Sequence, residues 1–365
     1  MSRLIEQDLP AARTGSNSNS PVDDRELQRR VGRLTREEWA EYAIALACGV
    51  NVAVLLRLLL DWDDMLGTSL IALGVFIGAH YVVLRERSTA DVALDKSVTT
   101  TMWTIGLIVV GVLVWMVAYV TVQGLKLLNW SFVVNDLSDV GPLDSGGGAF
   151  HGLVGTLEQV GIATIGVIPT AVLTAVYLHE IRGRMAGLVR FIIDALAGLP
   201  SIVAGLLVIT ILPGYSGFKA ALALSVLALP IVTRGAEEVL RTVPDNLREA
   251  SLALGAPQWR VVMRVVLPTA QSGLVTVTLL AIARMVGETA PVLLTAFGST
   301  STNTNPFNGP QASLAFFVYD LIRVADVRSN DRAWAGALLL LLIVFVIFVA
   351  ARVTLARSER KLGRR

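Results

Sequence analysis

Cysteine is almost absent. Cys48 is the only one in 365 residues, which excludes an internal disulfide and any cysteine-built metal site. Lysine is nearly as scarce, at four of the 31 basic residues, and none of the four follows a glycine-rich loop ending in Gly-Lys-Ser/Thr. Such a loop cradles nucleotide phosphates, so ATP hydrolysis by that route is excluded. Charge of either sign is thin: 16% of residues are Asp, Glu, Lys or Arg, where soluble domains average about a quarter. Residues 1–38 are polar and hold no apolar core, so no cleavable signal peptide is expected and the first apolar run must serve as the membrane signal. His80, His151 and His179 stand near the ends of apolar runs without a carboxylate or cysteine at ligand spacing, so no metal site is expected. No nucleophile motif or two-histidine motif places Ser, His and Asp on one face, which argues against a membrane-embedded enzyme.

What is abundant is apolar sequence, 54% of the chain, gathered into runs of about twenty residues that match the thickness of a bilayer core. Candidate spans lie at 40–60, 65–84, 102–123, 152–178, 187–212, 217–239, 271–296 and 334–352, which predicts an all-α, polytopic membrane bundle of about eight helices. The first two form a hairpin through the acidic turn Asp61-Trp62-Asp63-Asp64, and the charged stretch Arg85 to Thr101 separates it from the rest. Residues 1–22, rich in Ser, Asn, Ala and Pro, read as disordered. Residues 23–41 mix signs and suit a short helix on the membrane surface. Basic residues mark the cytoplasmic side. With the N-terminus inside, the inner segments hold 24 of the 31 and the outer segments five, so both termini are expected in the cytoplasm. Of the outer connections, 123–150 carries Asp136, Asp139 and Asp144 before Gly146-Gly147-Gly148. In the other, residues 312–323 are too short and too interrupted by Asp320 and Arg323 to span, and read as an amphipathic helix at the outer interface.

One inner loop stands apart. Residues 249–268 read EASLALGAPQWRVVMRVVLP, a charged helix-forming segment between two apolar runs. Pro244 and Asp245 can start a helix, since Asp accepts free amide hydrogens of a first turn. Gly255 can end it in the left-handed conformation, and Pro257 suits the first turn of a second helix. The expected result is a rigid elbow, with Leu247, Leu252 and Leu254 available to pack in a groove and Arg248 and Glu249 available for charge-assisted bonds to a partner.

The spacing Glu249-Ala250-Ser251, Gly255, Val265, Leu267-Pro268 resembles the loop by which ABC-importer permeases hold their ATPase. Beyond the loop the chain is similar to one family, the A-type permeases (PstA) of phosphate-specific ABC importers, of the type I, MetI-like fold. The resemblance is carried by Ile282-Ala283-Arg284, Gly287-Glu288-Thr289-Ala290-Pro291, the run from Asn305 to Leu314, the run from Leu196 to Val203, and Val176-Tyr177-Leu178. It covers residues 100–355, with the coupling loop at 241–268, and leaves 39–85 as an additional N-terminal hairpin and 356–365 as a basic tail. Glu158 departs from the family pattern, falling where an apolar residue is expected. The resemblance implies a permease subunit, not an enzyme, in a prokaryotic cytoplasmic membrane. It implies a second, C-type permease, an ATPase dimer that binds ATP and Mg, and an extracytoplasmic phosphate-binding protein. It also implies alternating access for inorganic phosphate, with Arg248, Glu249, Ala250, Leu252, Gly255, Leu267 and Pro268 coupling to the ATPase. A permease for sulfate or molybdate, and a sensor or scaffold that lost transport, are the competing classes.

Charges inside the spans sharpen this. Arg284 and Glu288, each costing about 2.5–3.5 kcal/mol if left facing lipid, are four apart on one expected helix near the middle of 271–296. Either they only hold the bundle together, or Arg284 offers its guanidinium fork to a passing phosphate while Glu288 orients it and weakens the grip. The resemblance places both on the transport path, with Thr289 beside them. Arg190 and Asp194 form a second pair at that spacing, read as structural. Glu158 has Gln159 beside it for a buried hydrogen-bonded contact. Pro169, Pro200, Pro230 and Pro291 fall in or near four spans. Proline removes a backbone bond, so Gly198, Pro200 and Ser201, and Pro291 with Thr289, are candidate kinks and gate or hinge points.

Overall fold

The computed structural model describes residues 36–60, 64–141 and 144–361. The polar tail at 1–22, most of the surface helix expected at 23–41, the turn residues 61–63 and the last four residues of the basic tail lie outside the described residues. Among the described residues the regular structure is helical, with one isolated bridge between Phe297 and Gln311. Among the described residues, seven helices are long and apolar enough to cross a membrane, or eight if one bent pair counts as a span. Two compact units divide at Leu113/Val114.

The first unit holds α1 (Arg36–Leu60), α2 (Met65–Arg87) and the start of α3 (Ala90–Gly124). The described end of the expected surface helix, from Arg36, runs straight into the first span. Asp64 caps α2 by accepting from the Gly67 amide at 2.9 Å. Gly49 lets the hairpin close, because a Cβ there would lie 2.6 Å from the Ala72 carbonyl oxygen. His80 is buried, stacked on Tyr42 and on Phe76, and its Nε2 meets Thr100 Oγ1 at 3.1 Å. The charged stretch expected to separate hairpin from core is largely the first turns of α3, which is one 35-residue helix.

The second unit continues with α4 (Trp130–Val134), α5 (Phe150–Val176) and a π turn (Tyr177–Ile181) that prolongs it. Then come α6 (Ala186–Ala197), α7 (Ser201–Ile211), α8 (Gly217–Arg241), α9 (Asp245–Ala253) and α10 (Gln258–Val261). A second π turn (Val262–Val266) leads into α11 (Leu267–Gly287), followed by α12 (Ala290–Thr295), α13 (Leu314–Ile322) and α14 (Val327–Lys361). The core sits between α5 and α8. Val160, Ala163, Val167 and Ala171 of α5 face Ala220, Leu224, Ala228 and Val232 of α8, with Met285 and Val286 of α11 against them. The spacing of three and four puts each set on one helix face. Lipid is as apolar as these side chains, so close approach through small residues supplies the packing energy. Where α8 crosses α11 the fit is reciprocal. A Cβ on Gly235 would lie 2.6 Å from Val277 Cγ1, and one on Gly273 would lie 2.5 Å from Val239 Cγ1.

Two expected spans are broken. Residues 187–212 are not one helix: α6 and α7 meet at 107° across Gly198-Leu199-Pro200. Pro200, with φ −59° and ψ 143°, takes the extended form, and its ring removes the hydrogen bond that would carry α6 onward. Residues 271–296 likewise stop at Gly287 and resume as α12. Pro169 and Pro230, by contrast, lie inside unbroken helices. The short helix expected near 312–323 is α13; it buries Leu314, Ala315 and Phe317 and exposes Asp320 and Arg323.

Candidate functional site

The elbow forms as the glycine and prolines dictate. Pro244 is the last extended residue before α9, and Pro257 the last before α10, one position earlier than its expected place in the first turn. Gly255 takes φ +79° and ends α9 with two reversed bonds: its own amide to Leu252 O at 2.9 Å and the Ala256 amide to Ser251 O at 3.3 Å. Glu249, Ala250, Leu252 and Gly255 are exposed, as are Leu247 and Trp259, and Leu254 is 88% exposed. Leu267 and Pro268 instead are half-buried at the start of α11, where Leu267 packs against a buried cluster that includes Val176, Leu240, Val261 and Val266. The elbow thus has an apolar outer rim and a seated base.

Two expectations change here. Asp245 does not cap α9; its Oδ1 accepts from Arg248 at 2.7 Å. Arg248 is not available to a partner. Its guanidinium donates to Glu180 Oε1 at 3.2 and 2.9 Å, to Val243 O at 2.7 Å and to Leu240 O at 2.8 Å besides Asp245. Carbonyls freed at the end of α8 and a half-buried carboxylate draw it inward, because such acceptors need donors when water is excluded. Sequence reasoning passed over Glu180. Its signal was a carboxylate at a span end, two residues beyond Val176-Tyr177-Leu178.

Arg190 and Asp194 do not pair with each other. Arg190 binds Glu237 at 2.6 Å and Asp194 binds Arg234, both across the α6–α8 contact. Glu237, 3% exposed at its side chain, also has Arg234 at 3.6 Å and Arg241 at 3.4 Å. A buried carboxylate must gather cations, and it outcompetes the local spacing.

Arg284 and Glu288 do meet, Nε to Oε1 at 3.3 Å, but not as two positions on one helix. The helix ends at Gly287, and Glu288 is extended at φ −76°, ψ 125°. Arg284 is 60% exposed at its side chain while Glu288 is 17% exposed. The bond engages Nε, and the two outer nitrogens of the fork form no other ion pair among the described residues. Thr289, half-buried, completes the break, and its carbonyl accepts the Leu293 amide at 2.9 Å.

The short helices that follow the two breaks touch. Gly205 of α7 lies against Pro291, where a Cβ would come within 2.9 Å of Pro291 Cα. Gly198, Pro200 and Ser201 therefore sit one short helix from the Glu288 break. A cavity of about 470 Å³ lies between α5, α7 and α8, with Thr170, Leu196, Leu207 and Leu229 among its walls. At the far end of α5, Gln159 Nε2 donates to Gln311 Oε1 at 3.1 Å and Gln311 Nε2 donates to Glu158 Oε2 at 2.6 Å. The buried contact expected for Gln159 is there, and Glu158 shares it.

Residues 167–363 match the family described as binding-protein-dependent transport system inner membrane component. A phosphate transport system permease protein PstA 1 of Mycobacterium tuberculosis is 42% identical over 266 residues, 71% of this chain and 86% of that protein. The PstA of Mycobacterium leprae is 38% identical over 72% of this chain and 89% of that protein. That of Yersinia pestis is 37% identical over 60% and 76%. Among solved structures, a chain of the inward-facing MetNI methionine ABC transporter aligns with a TM-score of 0.46 at 22% identity, over 57% of this chain and 93% of that one. With its broken spans, exposed elbow and helical membrane bundle, the chain belongs to the binding-protein-dependent transport system inner membrane components and, within them, to the PstA permeases.

Proposed function

We propose that this multi-pass inner membrane protein is one half of a pathway for inorganic phosphate, completed by a C-type permease. An ATPase dimer docks on the elbow and binds the ATP and Mg, and an extracytoplasmic phosphate-binding protein delivers the ion. The observation that carries this is the Arg284–Glu288 pair at the end of α11. Counting at 1.5 Å per residue, Arg284 is roughly 25 Å along α11 from the seated base of the elbow, in the last turn of that helix. A guanidinium paired there through one nitrogen, on a side chain that is 60% exposed, suits bidentate contact with a tetrahedral oxyanion. Glu288 offsets part of the charge, which favours release over capture, as transport requires.

Glu249, Ala250, Leu252 and Gly255 present the docking face, and Leu267 and Pro268 anchor it. Gly198, Pro200, Ser201 and Pro291 are the gate, because α7 and α12 are short, begin at breaks and lean on one another. The bias of basic residues, 24 of 31 on one side, supports an orientation with the elbow and both termini in the cytoplasm. The transport core spans 100–355, the hairpin at 39–85 is an addition to it, residues 1–38 and 356–365 are cytoplasmic tails, and membrane lipid covers the exposed apolar faces. Arg284→Ala tests the reading: the complex with ATPase should assemble in normal amount while ATP-driven uptake of labelled phosphate falls to background. Normal uptake by that variant would remove Arg284 from the pathway and the reading with it.

A further inference from the structure

A push on the elbow moves the bundle only if the elbow is held to a long helix. α10 runs on into α11, and its Val261 and Val262 share a buried cluster with Ala175 and Val176 of α5; one residue of the α5 run adds a polar hold on both elbow helices. Glu180, in the π turn that ends the run of α5, accepts two bonds from Arg248 of α9 through Oε1, at 3.2 and 2.9 Å. Its backbone carbonyl accepts Gln258 Nε2 of α10 at 2.8 Å. Both helices of the elbow therefore grip one residue of another element. The Arg248 side chain is 14% exposed and that of Glu180 9%. Arg248 also ties in the end of α8 through the Leu240 and Val243 carbonyls. Its bonds to Glu180, Leu240, Val243 and Asp245 use all the donors a guanidinium has. Lysine could not replace it, having three donors on one nitrogen. The π turn matters because it inserts an extra residue in the helical register and so sets where Glu180 points.

We propose that Glu180 is a positioning residue: through Arg248 and Gln258 it locks the elbow to α5, so that the two move as one rigid body when the ATPase closes. This rests on the reading of the loop as the ATPase dock. From Phe150 to Ile181 the α5 run is one span, and at its other end Glu158 and Gln159 hold Gln311. A displacement of the elbow thus reaches the connection between α12 and α13 along one helix.

The test uses the assembled complex with Cys48→Ser and spin labels at two exposed positions, Leu173→Cys on α5 and Asn246→Cys on α9 of the elbow. The distance between labels is measured by pulsed electron resonance without nucleotide and with ATP trapped. In the parent it should be the same in both states. In Glu180→Ala it should broaden and shift on ATP binding, and phosphate imported per ATP hydrolysed should fall about tenfold while the ATPase still co-purifies. Glu180→Gln, which keeps the acceptor oxygen without the charge, should fall between the two, and decides the matter if the alanine variant does not assemble. A parent distance that already changes with ATP, or variants that match the parent in both states, would overturn the proposal. If the cargo is not phosphate, uptake fails in the parent as well, whereas the distances still give their answer.

Discussion

Asp136 accepts four donors from two chain segments: the amide and hydroxyl of Ser138 at 3.2 and 2.8 Å, and those of Thr302 at 3.0 and 2.9 Å. Burial alone would raise its pKa, but these donors outweigh it and hold the value at about 2, against an ordinary 3.8. A carboxylate whose folded value is depressed stabilises the fold fully above its unfolded value, and that contribution fades as pH falls from about 4 toward 2. Hydrogen exchange at the Thr302 amide should therefore accelerate across that window, and Asp136→Asn should flatten the dependence. At the same scale, Glu249→Lys should release the ATPase, since Glu249 is exposed and makes no ion pair among the described residues; unchanged co-purification would refute its docking role. Arg248 and Glu249 are neighbours of similar promise in the sequence. Only the fold separates them, because Arg248 finds acceptors at the ends of α5 and α8, which come together through tertiary packing. The partner swap at Arg190 and Asp194 has the same cause.

Breaks, rather than helices, distinguish this bundle. The apolar runs announce where helices lie, and proline and glycine announce where they fail, yet the size of a bend depends on what packs beside it. Pro169 and Pro230 sit in unbroken helices while Pro200 stands at a 107° turn. The Gly198-Leu199-Pro200 turn was legible as a kink, and its sharpness was not, since it follows from α7 seating Gly205 on Pro291. The elbow was legible in more detail because its signals are local. Gly255 is the clearest case: at φ +79°, with nothing within 4 Å of an added Cβ, a substitution costs only backbone strain. Gly255→Val should lose about 1–2 kcal/mol of local stability and shed the ATPase, whereas Gly255→Asn should be tolerated. Gly235→Leu acts by collision instead, since its Cβ alone would meet Val277 Cγ1 at 2.6 Å. It should destabilise the purified subunit in detergent by about 1–3 kcal/mol, read as a lower unfolding midpoint, while Gly161→Ala, with nothing within 4 Å, should not.

The whole molecule divides its work by position along the bundle. An exposed elbow at one end is seated on α5 and α11, and an arginine–carboxylate pair stands at the other end of α11, next to α12, which packs on α7. At the far end, a polar cluster of Glu158, Gln159 and Gln311 holds the α12–α13 connection. The family and its elbow could be read from spacing in the chain, whereas the meeting of the short helices after the two breaks required the fold, because residues 198–205 and 288–291 are distant in sequence. The net charge of +2 says little about cargo, so the central claim rests on chemistry at Arg284. The most direct test is ATP-dependent uptake of labelled phosphate into vesicles holding this chain, its partner permease, the ATPase and the binding protein, with excess sulfate or molybdate as competitor. Phosphate uptake that neither competitor reduces is the predicted result. Uptake displaced by sulfate or molybdate, or an assembled complex that hydrolyses ATP and moves no phosphate, would contradict it.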